Sequence, residues 1–258
     1  MSVSLVGKCA LVTGASRSAG IGAAICRSFA KAGADVAFTH WTAYDTGMYG
    51  SAASEPADLL AELALQGVNA VGIEFDLSAP SAGVDLFDVV EDELGPIDIL
   101  VNNAAFSTHD SWETLSAESV DAHYQVNARA TALLTVEFAR RFRAADGGRI
   151  VNFSSGQHLG PMPEELSYAM SKGAIIAFST SVAPELARKG ITINVVNPGP
   201  TDTGWMTPEL HLELAARTPM GRVGLPEDVA RLVCWLASDD ACWITGQVID
   251  SEGGFLRA

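Results

Sequence analysis

The most informative segment of the 258-residue chain is Cys9-Ala-Leu-Val-Thr-Gly14-Ala-Ser-Arg17-Ser-Ala-Gly20-Ile-Gly22, near its beginning. It opens with a continuous apolar run, as expected of a strand that is covered on both faces of a sheet. The glycines that follow allow a tight turn and a close approach of the backbone to a phosphate group. A helix that begins after the turn offers free N–H groups and a partial positive charge to such a group. The pattern predicts a strand, a phosphate-binding loop and a helix, and a tight turn without a ligand is the alternative.

The rest of the chain alternates short apolar runs with longer helical patterns. Runs typical of strands lie at residues 8–14, 35–40, 69–75, 97–102, 148–154, 191–197 and 247–250. Patterns typical of helices lie at 22–32, 56–66, 84–94, 116–145, 166–189 and 226–238. This order predicts an α/β fold of the Rossmann type, a doubly wound parallel sheet of about seven strands in a single domain of residues 1–258. Residues 41–55 form the one long irregular stretch, and we expect a surface insertion there.

The bulk composition limits the classes of function. The formal net charge is -15, and such a chain repels nucleic acid and anionic membranes at long range. No apolar run reaches the roughly 18 residues that a membrane-spanning helix needs, and the first residues lack the apolar core of a secretion signal. We therefore expect a cytoplasmic protein that binds neither nucleic acid nor membranes. The cysteines form no C-x-x-C pair and the histidines are scattered, so we expect buried, unreactive thiols and no metal site.

Tyr168 and Lys172 are the first candidates for catalysis. Residues four apart lie on the same face of a helix, so the phenol and the ammonium are expected to be close. The positive charge favours the phenolate and lowers the pKa of the tyrosine, which lets the phenol exchange a proton near neutral pH. A chance occurrence of this spacing is the alternative.

Ser155 and Asn127 are further candidates. Ser155 follows a predicted strand, so its hydroxyl is expected to face the crevice where open α/β sheets bind ligands and to donate a hydrogen bond to a carbonyl oxygen. Asn127 lies inside a predicted helix, where asparagine is unfavourable, and its neighbours Val126 and Ala128 are apolar, which favours an inward-pointing amide. The alternatives are a turn-forming serine and a structural amide.

These residues, in this order, resemble the short-chain dehydrogenase/reductase family along nearly the whole chain. The features that match its motifs are Gly14, Gly20 and Gly22, Asp76 after the third strand, Asn102-Asn103-Ala104-Ala105 after the fourth, the tetrad Asn127, Ser155, Tyr168 and Lys172, and Asn197-Pro198-Gly199 with Thr203. The chain departs from the family in having five residues, where three are usual, between Gly14 and Gly20, and in having Ala105 in place of a glycine.

The resemblance implies hydride transfer between a nicotinamide cofactor and a ketone or secondary alcohol. In that mechanism Ser155 and Tyr168 hold the carbonyl oxygen, Tyr168 exchanges the proton, Lys172 lowers its pKa and holds the nicotinamide ribose, and Asn127 holds a water that relays protons to Lys172. The residues implied in cofactor binding are Gly14, Ser16, Arg17, Gly20, Ile21, Gly22, His40, Asp76, Leu77, Asn103, Ala104, Ala105, Tyr168, Lys172, Pro198, Gly199, Thr201 and Thr203.

Three alternative functions stay open. The first is a 3-oxoacyl-[acyl-carrier-protein] reductase, which the net charge of -15 disfavours because the carrier is acidic. The second is an enoyl reductase, whose branch of the family has an extended glycine loop but typically spaces its tyrosine and lysine seven apart. The third is a protein without catalysis. It would be either a dinucleotide sensor, which has no need of Ser155, Tyr168 and Lys172 together, or a structural or interaction protein, for which the full set of motifs would be unexplained.

The choice between NADP(H) and NAD(H) depends on the end of the second predicted strand. An acid there binds the 2′-hydroxyl of the adenosine ribose in NAD and repels the 2′-phosphate of NADP. The strand ends at Thr39-His40-Trp41 without a carboxylate, and the next acid, Asp45, lies inside the expected insertion. Arg17 offers a planar fork of donors that suits a phosphate, with His40 as a further donor. We therefore expect NADP(H), with a solvated Arg17 as the alternative.

Assembly and substrate size are predicted more coarsely. Family members are usually tetramers that pair the helices predicted here at 116–145 and 166–189. Both carry apolar residues on more than one face, which favours a homotetramer over packing within one subunit. Segments 156–166 and 200–219 are expected to line the pocket for a small-molecule substrate, with Trp205, Met206 and Leu210 making it apolar.

Overall fold

The computed structural model describes residues 3–50 and 54–256. These residues form one parallel sheet, and its order is β3-β2-β1-β4-β5-β6-β7. Its strands are β1 (Cys9–Val12), β2 (Asp35–His40), β3 (Ala70–Glu74), β4 (Ile99–Asn102), β5 (Gly148–Phe153), β6 (Ile191–Asn197) and β7 (Val248–Asp250). The chain first builds outward from β1 to β3 and then crosses to β4 on the other side of β1. The carboxyl ends of β1 and β4 therefore meet at a topological switch point, where such sheets bind ligands.

Helices cover both faces of the sheet. They are α1 (Ile21–Lys31), α2 (Thr42–Tyr49), α3 (Glu55–Ala64), α4 (Ala82–Leu94), α5 (Ala117–His123), α6 (Thr131–Arg141), α7 (Leu166–Ala187), α8 (Pro208–Ala216) and α9 (Pro226–Leu236). A π-helical segment, Tyr124–Ala130, joins α5 to α6, and 3₁₀ turns lie at Gly156–His158 and Asp239–Ala241. None of these helices is both long enough and apolar enough to cross a membrane, judged over the described residues.

Two apolar cores, one on each face, explain why the strands read as continuous apolar runs. In β1, Ala10 and Val12 lie in the core beneath α1 and α9. Cys9 and Leu11 lie in the opposite core, which α4, α6 and α7 cover. Because successive side chains of a strand point to opposite faces, every residue of β1 is buried.

The predicted strands are all present, and their ends differ from the prediction by at most two residues. The helix predicted at 116–145 is wrong as a single element, because the structure divides it into α5, the π-helical segment and α6, and ends it at Arg141. The wider π turn lets Asn127 turn its amide inward, and Phe142 then leaves the helix with extended dihedrals. Cys242 is exposed, contrary to the expectation of a buried thiol, whereas the other cysteines are buried.

The irregular insertion predicted at 41–55 is also wrong, because helix α2 occupies most of it. The apolar residues Trp41, Tyr44 and Met48 follow the three- and four-residue spacing of a helix face. Gly50 ends the helix in the left-handed conformation with φ 62°, where glycine has no steric penalty. Residues 51–53 of the predicted insertion lie outside the described residues.

Candidate functional site

The loop between β1 and α1 packs against the end of β4. Gly14 has φ +72°, and a Cβ on it would lie 2.6 Å from the Cα of Ala104. A Cβ on Gly22 would lie 2.5 Å from the carbonyl oxygen of Gly14. Asn103 fixes the turn, since its Nδ2 donates to the carbonyl oxygens of Thr13, at 3.0 Å, and Gly14, at 2.8 Å. Both glycines are thus required by close contacts between backbone segments.

A cleft of about 620 Å³ opens above this loop. Its wall holds most of the residues predicted to bind a cofactor, namely Gly14, Ser16, Arg17, Gly20, Ile21, His40, Asp76, Leu77, Asn103, Ala104, Ala105 and Thr203. Among the described residues, no side chain caps the N-terminus of α1, which begins after Gly20. Its backbone donors and its partial positive charge are therefore available to a phosphate, and the cleft has the size of a cofactor site.

A second cavity of about 770 Å³ adjoins the cleft and shares Ile21, Tyr44, Ala105 and Thr203 with it. The predicted residues that line it are Ser155, Tyr168, Pro198, Gly199 and Thr201. Apolar side chains, those of Met162, Trp205, Leu214 and Phe255, form much of the remaining wall. The structure thus brings Ser155 and Tyr168 together in one cavity beside the glycine loop. Of the side chains expected to make this pocket apolar, Trp205 lines it, and Met206 and Leu210 are absent from the wall that the described residues form.

Lys172 lies behind this cavity, beneath Tyr168. Its Nζ donates to the carbonyl oxygen of Phe153 at 3.0 Å and lies 5.6 Å from the centre of the Tyr168 ring. The side chain is buried, and burial lowers the pKa of its ammonium from 10.5 to about 8. No carboxylate forms an ion pair with Lys172 among the described residues, so its charge acts on the tyrosine without competition.

The sequence matches a known family over nearly its full length. A protein-family model described as enoyl-(acyl carrier protein) reductase matches residues 14–256. The uncharacterised oxidoreductase YjdA of Bacillus subtilis strain 168 is 49% identical over 252 residues, which cover 97% of each chain. The chain belongs to the short-chain dehydrogenase/reductase family. It is therefore an oxidoreductase that acts on carbonyl or alcohol groups.

Solved structures of this family share the fold. The reductase LugOII, described as promiscuous and as catalysing keto-reduction at C1 in lugdunomycin biosynthesis, is 37% identical with a TM-score of 0.85, over 97% of this chain and 98% of its own. The landomycin C-6 ketoreductase LanV, solved with bound NADP and rabelomycin, is 35% identical with a TM-score of 0.84, over 98% of this chain and 97% of its own. A short-chain dehydrogenase/reductase binds a nicotinamide dinucleotide, and the glycine loop and cleft of this chain fit that group.

In this short-chain dehydrogenase/reductase, Asn127 joins two parts of the site. Its Oδ1 accepts from the N–H of Phe106 at 2.7 Å, and its Nδ2 donates to the carbonyl oxygen of Phe106 at 2.9 Å. The same Nδ2 donates to the hydroxyl of Ser171 at 2.9 Å, one residue before Lys172. The amide therefore ties the loop after β4 to α7, and the expected role in holding a water for Lys172 stays a prediction.

Ser155 is held by the turn that follows β5. Its N–H donates to Oε1 of Gln157 at 3.1 Å, and its carbonyl oxygen lies 3.2 Å from Nδ1 of His158. The Nε2 of His158 in turn lies 3.2 Å from a carboxylate oxygen of Asp250 on β7. These contacts fix the backbone of Ser155, which lines the cavity.

Sequence reasoning missed His123, whose ring packs against that of Tyr168. The imidazole is fully buried, and its ring centre lies 6.3 Å from that of Tyr168 and 5.0 Å from that of Phe106. Its Nδ1 donates to the carbonyl oxygen of Ser119 at 2.7 Å, and its Nε2 accepts from the N–H of Thr108 at 3.2 Å. This pattern requires the neutral ring, so His123 positions the tyrosine without adding charge.

Asp45 reaches the cleft wall, although the sequence placed it in a surface insertion. Its carboxylate is buried on α2, and Oδ1 lies 3.8 Å from Nε of Arg17. The guanidinium of Arg17 also donates to the carbonyl oxygen of Thr203, at 3.0 Å, and to its hydroxyl, at 3.4 Å. Burial raises the pKa of Asp45, and burial lowers the pKa of His40 nearby. The end of β2 therefore does have a carboxylate beside it, delivered by the helix that follows.

Within residues 3–50 and 54–256, no three His, Cys, Asp or Glu side chains are grouped so as to hold an ion.

Proposed function

We propose that this enzyme interconverts a ketone and its secondary alcohol, with NADP(H) preferred over NAD(H), through Asn127, Ser155, Tyr168 and Lys172. The observation that carries the proposal is the shared cavity of Ser155 and Tyr168, which adjoins the glycine-loop cleft and has the Lys172 ammonium beneath it. A hydroxyl and a phenol that line one cavity can both bond a single carbonyl oxygen, as carbonyl reduction requires.

A nicotinamide dinucleotide, when bound in the cleft, would supply or accept the hydride. In reduction, Ser155 donates a hydrogen bond to the carbonyl oxygen of the substrate, and Tyr168 donates the proton that this oxygen gains. Lys172 stabilises the phenolate that Tyr168 becomes, because its ammonium is close and has no carboxylate partner among the described residues. With a pKa of about 8, the ammonium is mostly charged at neutral pH. His123 and Asn127 hold Tyr168 and α7 in place.

The preference for NADP(H) rests on two supports. Arg17 and His40 line the cleft next to the glycine loop, where their donors suit a phosphate. LanV, which is 35% identical, was solved with bound NADP. We assign the pyrophosphate to the N-terminus of α1, and the nicotinamide end to the segment of Pro198, Gly199 and Thr201, which lines the second cavity.

The substrate is proposed to be a ketone with bulky apolar substituents, because Met162, Trp205, Leu214 and Phe255 line a cavity of about 770 Å³. An enoyl reductase is the second candidate, since the matching family model carries that description. A carrier-linked substrate is less favoured, because the net charge of -15 repels an acidic carrier. The single domain of residues 1–258, the homotetramer and the cytoplasmic location stay predictions from the sequence.

The test is a substrate panel with product analysis. A bicyclic aromatic ketone, a 3-oxoacyl thioester and an α,β-unsaturated thioester are each incubated with NADPH and with NADH, and consumption of the reduced cofactor is followed. We expect the highest kcat/KM for the aromatic ketone, with the alcohol as product. A saturated thioester as the main product would instead identify an enoyl reductase, and cofactor binding without any turnover would identify a sensor.

The cofactor assignment is tested in the same assay with Arg17→Ala. We expect this variant to lose most of the preference for NADPH, because Arg17 is the residue assigned to the 2′-phosphate. Arg188, which pairs with Glu185 at the exposed end of α7, supplies the matched control as Arg188→Ala. A wild-type preference for NADH, or an unchanged preference in Arg17→Ala, would contradict the assignment.

A further inference from the structure

Besides Arg17, the carboxylate of Asp45 lies in the wall of the cleft at its proposed adenosine end. Asp45 is buried in the cleft wall and hydrogen-bonds the side chain of Ser16, which belongs to the glycine loop. The same hydroxyl of Ser16 accepts from the N–H of Trp41, at 3.3 Å, at the end of β2. Asp45 therefore sits where the glycine loop and the end of β2 meet, which is where Rossmann enzymes bind the adenosine ribose.

The position of this carboxylate is fixed by helix α2 and its contacts. Tyr44, the neighbour of Asp45, packs its ring on Phe106 with 5.6 Å between the ring centres. The hydroxyl of Tyr44 accepts from the N–H of Ser107 at 3.2 Å. These contacts tie α2 to the loop after β4, so the carboxylate of Asp45 is held against the cleft rather than displayed on a surface loop.

We propose that Asp45 is a specificity-determining residue, which hydrogen-bonds the 2′-hydroxyl of the adenosine ribose in NAD(H) and weakens binding of the 2′-phosphate in NADP(H). The inference rests on the proposed function only in taking this cleft as the cofactor site. Under this proposal the enzyme uses both cofactors. Arg17 favours NADP(H), and Asp45 makes that preference smaller than it would be with Arg17 alone.

The physical reason is competition for the same cation. Arg17 faces Asp45 at 3.8 Å and Thr203 at 3.0 Å, so part of its charge and two of its donors are already engaged. A 2′-phosphate carries more negative charge than a hydroxyl, and a carboxylate within a few ångströms repels it. A ribose hydroxyl, by contrast, can donate to the carboxylate. One residue therefore acts on the two cofactors in opposite directions.

Other titratable groups near Asp45 do not duplicate this role. The groups that act on its charge are Arg17 from the glycine loop, His40 from β2 and Glu55 from α3. Glu55 is engaged elsewhere, since its Oε2 accepts from the N–H of Ser18 at 2.6 Å, and it is absent from the cleft wall formed by the described residues. His40 lines the cleft, and burial lowers its pKa, so it is mostly neutral near pH 7.

The test uses two fragments that differ only in the group at issue. Adenosine 2′,5′-bisphosphate carries the 2′-phosphate and adenosine 5′-monophosphate carries the 2′-hydroxyl, and calorimetry gives the Kd of each without any hydride transfer. We expect Asp45→Asn to bind the bisphosphate about tenfold more tightly than the wild type does, and the monophosphate severalfold more weakly. The matched control is Asp58→Asn, which removes the same charge from an exposed position on α3 and is expected to leave both Kd values unchanged.

The outcomes separate this inference from the proposed function. Asp45→Ser serves as a second variant, and far-ultraviolet circular dichroism selects the variants that are folded. An unchanged ratio of the two Kd values in the folded variants overturns the inference, even if ketones are reduced. Absence of binding of both fragments to the wild type overturns it as well. A shifted ratio supports it, even if no ketone in the panel is turned over.

Discussion

The two ends of the proposed active site hold a buried charge in different ways. At the catalytic end, Lys172 is 2% exposed and is satisfied by a backbone carbonyl oxygen, and no carboxylate among the described residues pairs with it. At the adenosine end, Asp45 and Arg17 face each other across 3.8 Å. The electric field of a buried charge without a counter-charge acts in full on the neighbouring group. The field of a charge in an ion pair is partly cancelled by its partner. The first arrangement suits proton transfer, and the second suits selection between similar ligands.

The supports of the two ends differ as well. Tyr168 and Lys172 lie on α7, whose start is anchored by Asp110, since Oδ1 accepts from the N–H of Ser167 at 3.1 Å and Oδ2 from the hydroxyl of Ser119 at 2.7 Å. Asp45 lies on α2, a short helix with fewer buried residues. The geometry of the catalytic end is therefore the less adjustable of the two.

The largest effect is expected from Tyr168→Phe. Loss of the phenolic proton should reduce kcat by about 10²–10⁴-fold, the usual contribution of a positioned acid. The Kd of the cofactor should stay unchanged, because the ring and Lys172 remain. Tyr124→Phe is the matched control, since Tyr124 is exposed and lies outside both cavities that the described residues form. A wild-type kcat in Tyr168→Phe would show that another group exchanges the proton.

A smaller effect is expected from Lys172→Met, which should increase the stability of the fold and decrease the activity. Below a pH of about 8 the wild type holds a buried ammonium whose pKa burial has lowered from 10.5. Removing that charge should raise the free energy of unfolding by roughly 1–2 kcal/mol near neutral pH, after subtraction of the lost hydrogen bond to Phe153. Turnover should fall at the same time. Denaturant titration of both proteins provides the measurement.

The pH dependence of this stability difference has a definite sign. As the pH rises from about 8 to 10.5, the folded wild type loses the proton before the unfolded chain does. Unfolding then becomes less favourable for the wild type, so the difference from Lys172→Met should shrink. A constant difference across that range would mean that the Lys172 ammonium is not destabilised by burial.

The smallest effect is expected at the adenosine end and concerns pH. Because the pKa of Asp45 is raised, its carboxylate gains a proton at a higher pH than an ordinary aspartate does. As the pH falls through this raised pKa, the repulsion of a 2′-phosphate is lost, and the wild type should approach Asp45→Asn in its Kd for adenosine 2′,5′-bisphosphate. Because the charge of Asp45 also acts on the pKa of His40, both proteins are compared in a His40→Asn background. An advantage of Asp45→Asn that does not change with pH would contradict the raised pKa.

Each end of the proposed site could be predicted from the sequence to the extent that it is formed by residues close together in the chain. Tyr168 and Lys172 are one helical turn apart, so their proximity is fixed by helix geometry once α7 forms. The glycine loop is also predictable from a short segment. The close contacts that require Gly14 and Gly22 lie within the loop and with the residues that follow the neighbouring strand β4. The sequence prediction placed Asp45 in an irregular insertion because α2 is a short helix with a weak local signal. The position of α2 depends on the contact of Tyr44 with Ser107, which lies 63 residues further along the chain.

The sequence alone predicts the parallel sheet, the glycine loop and the pairing of Tyr168 with Lys172. Apolar runs, glycine spacing and helical periodicity are properties of residues that lie close together in the chain. The tertiary structure alone decided that the π turn directs Asn127 onto Phe106, that His123 supports Tyr168 and that Asp45 reaches Arg17. These three depend on which distant segments meet at the carboxyl edge of the sheet. Contacts between distant segments depend on the packing free energy of the whole fold. A short stretch of sequence therefore does not predict them.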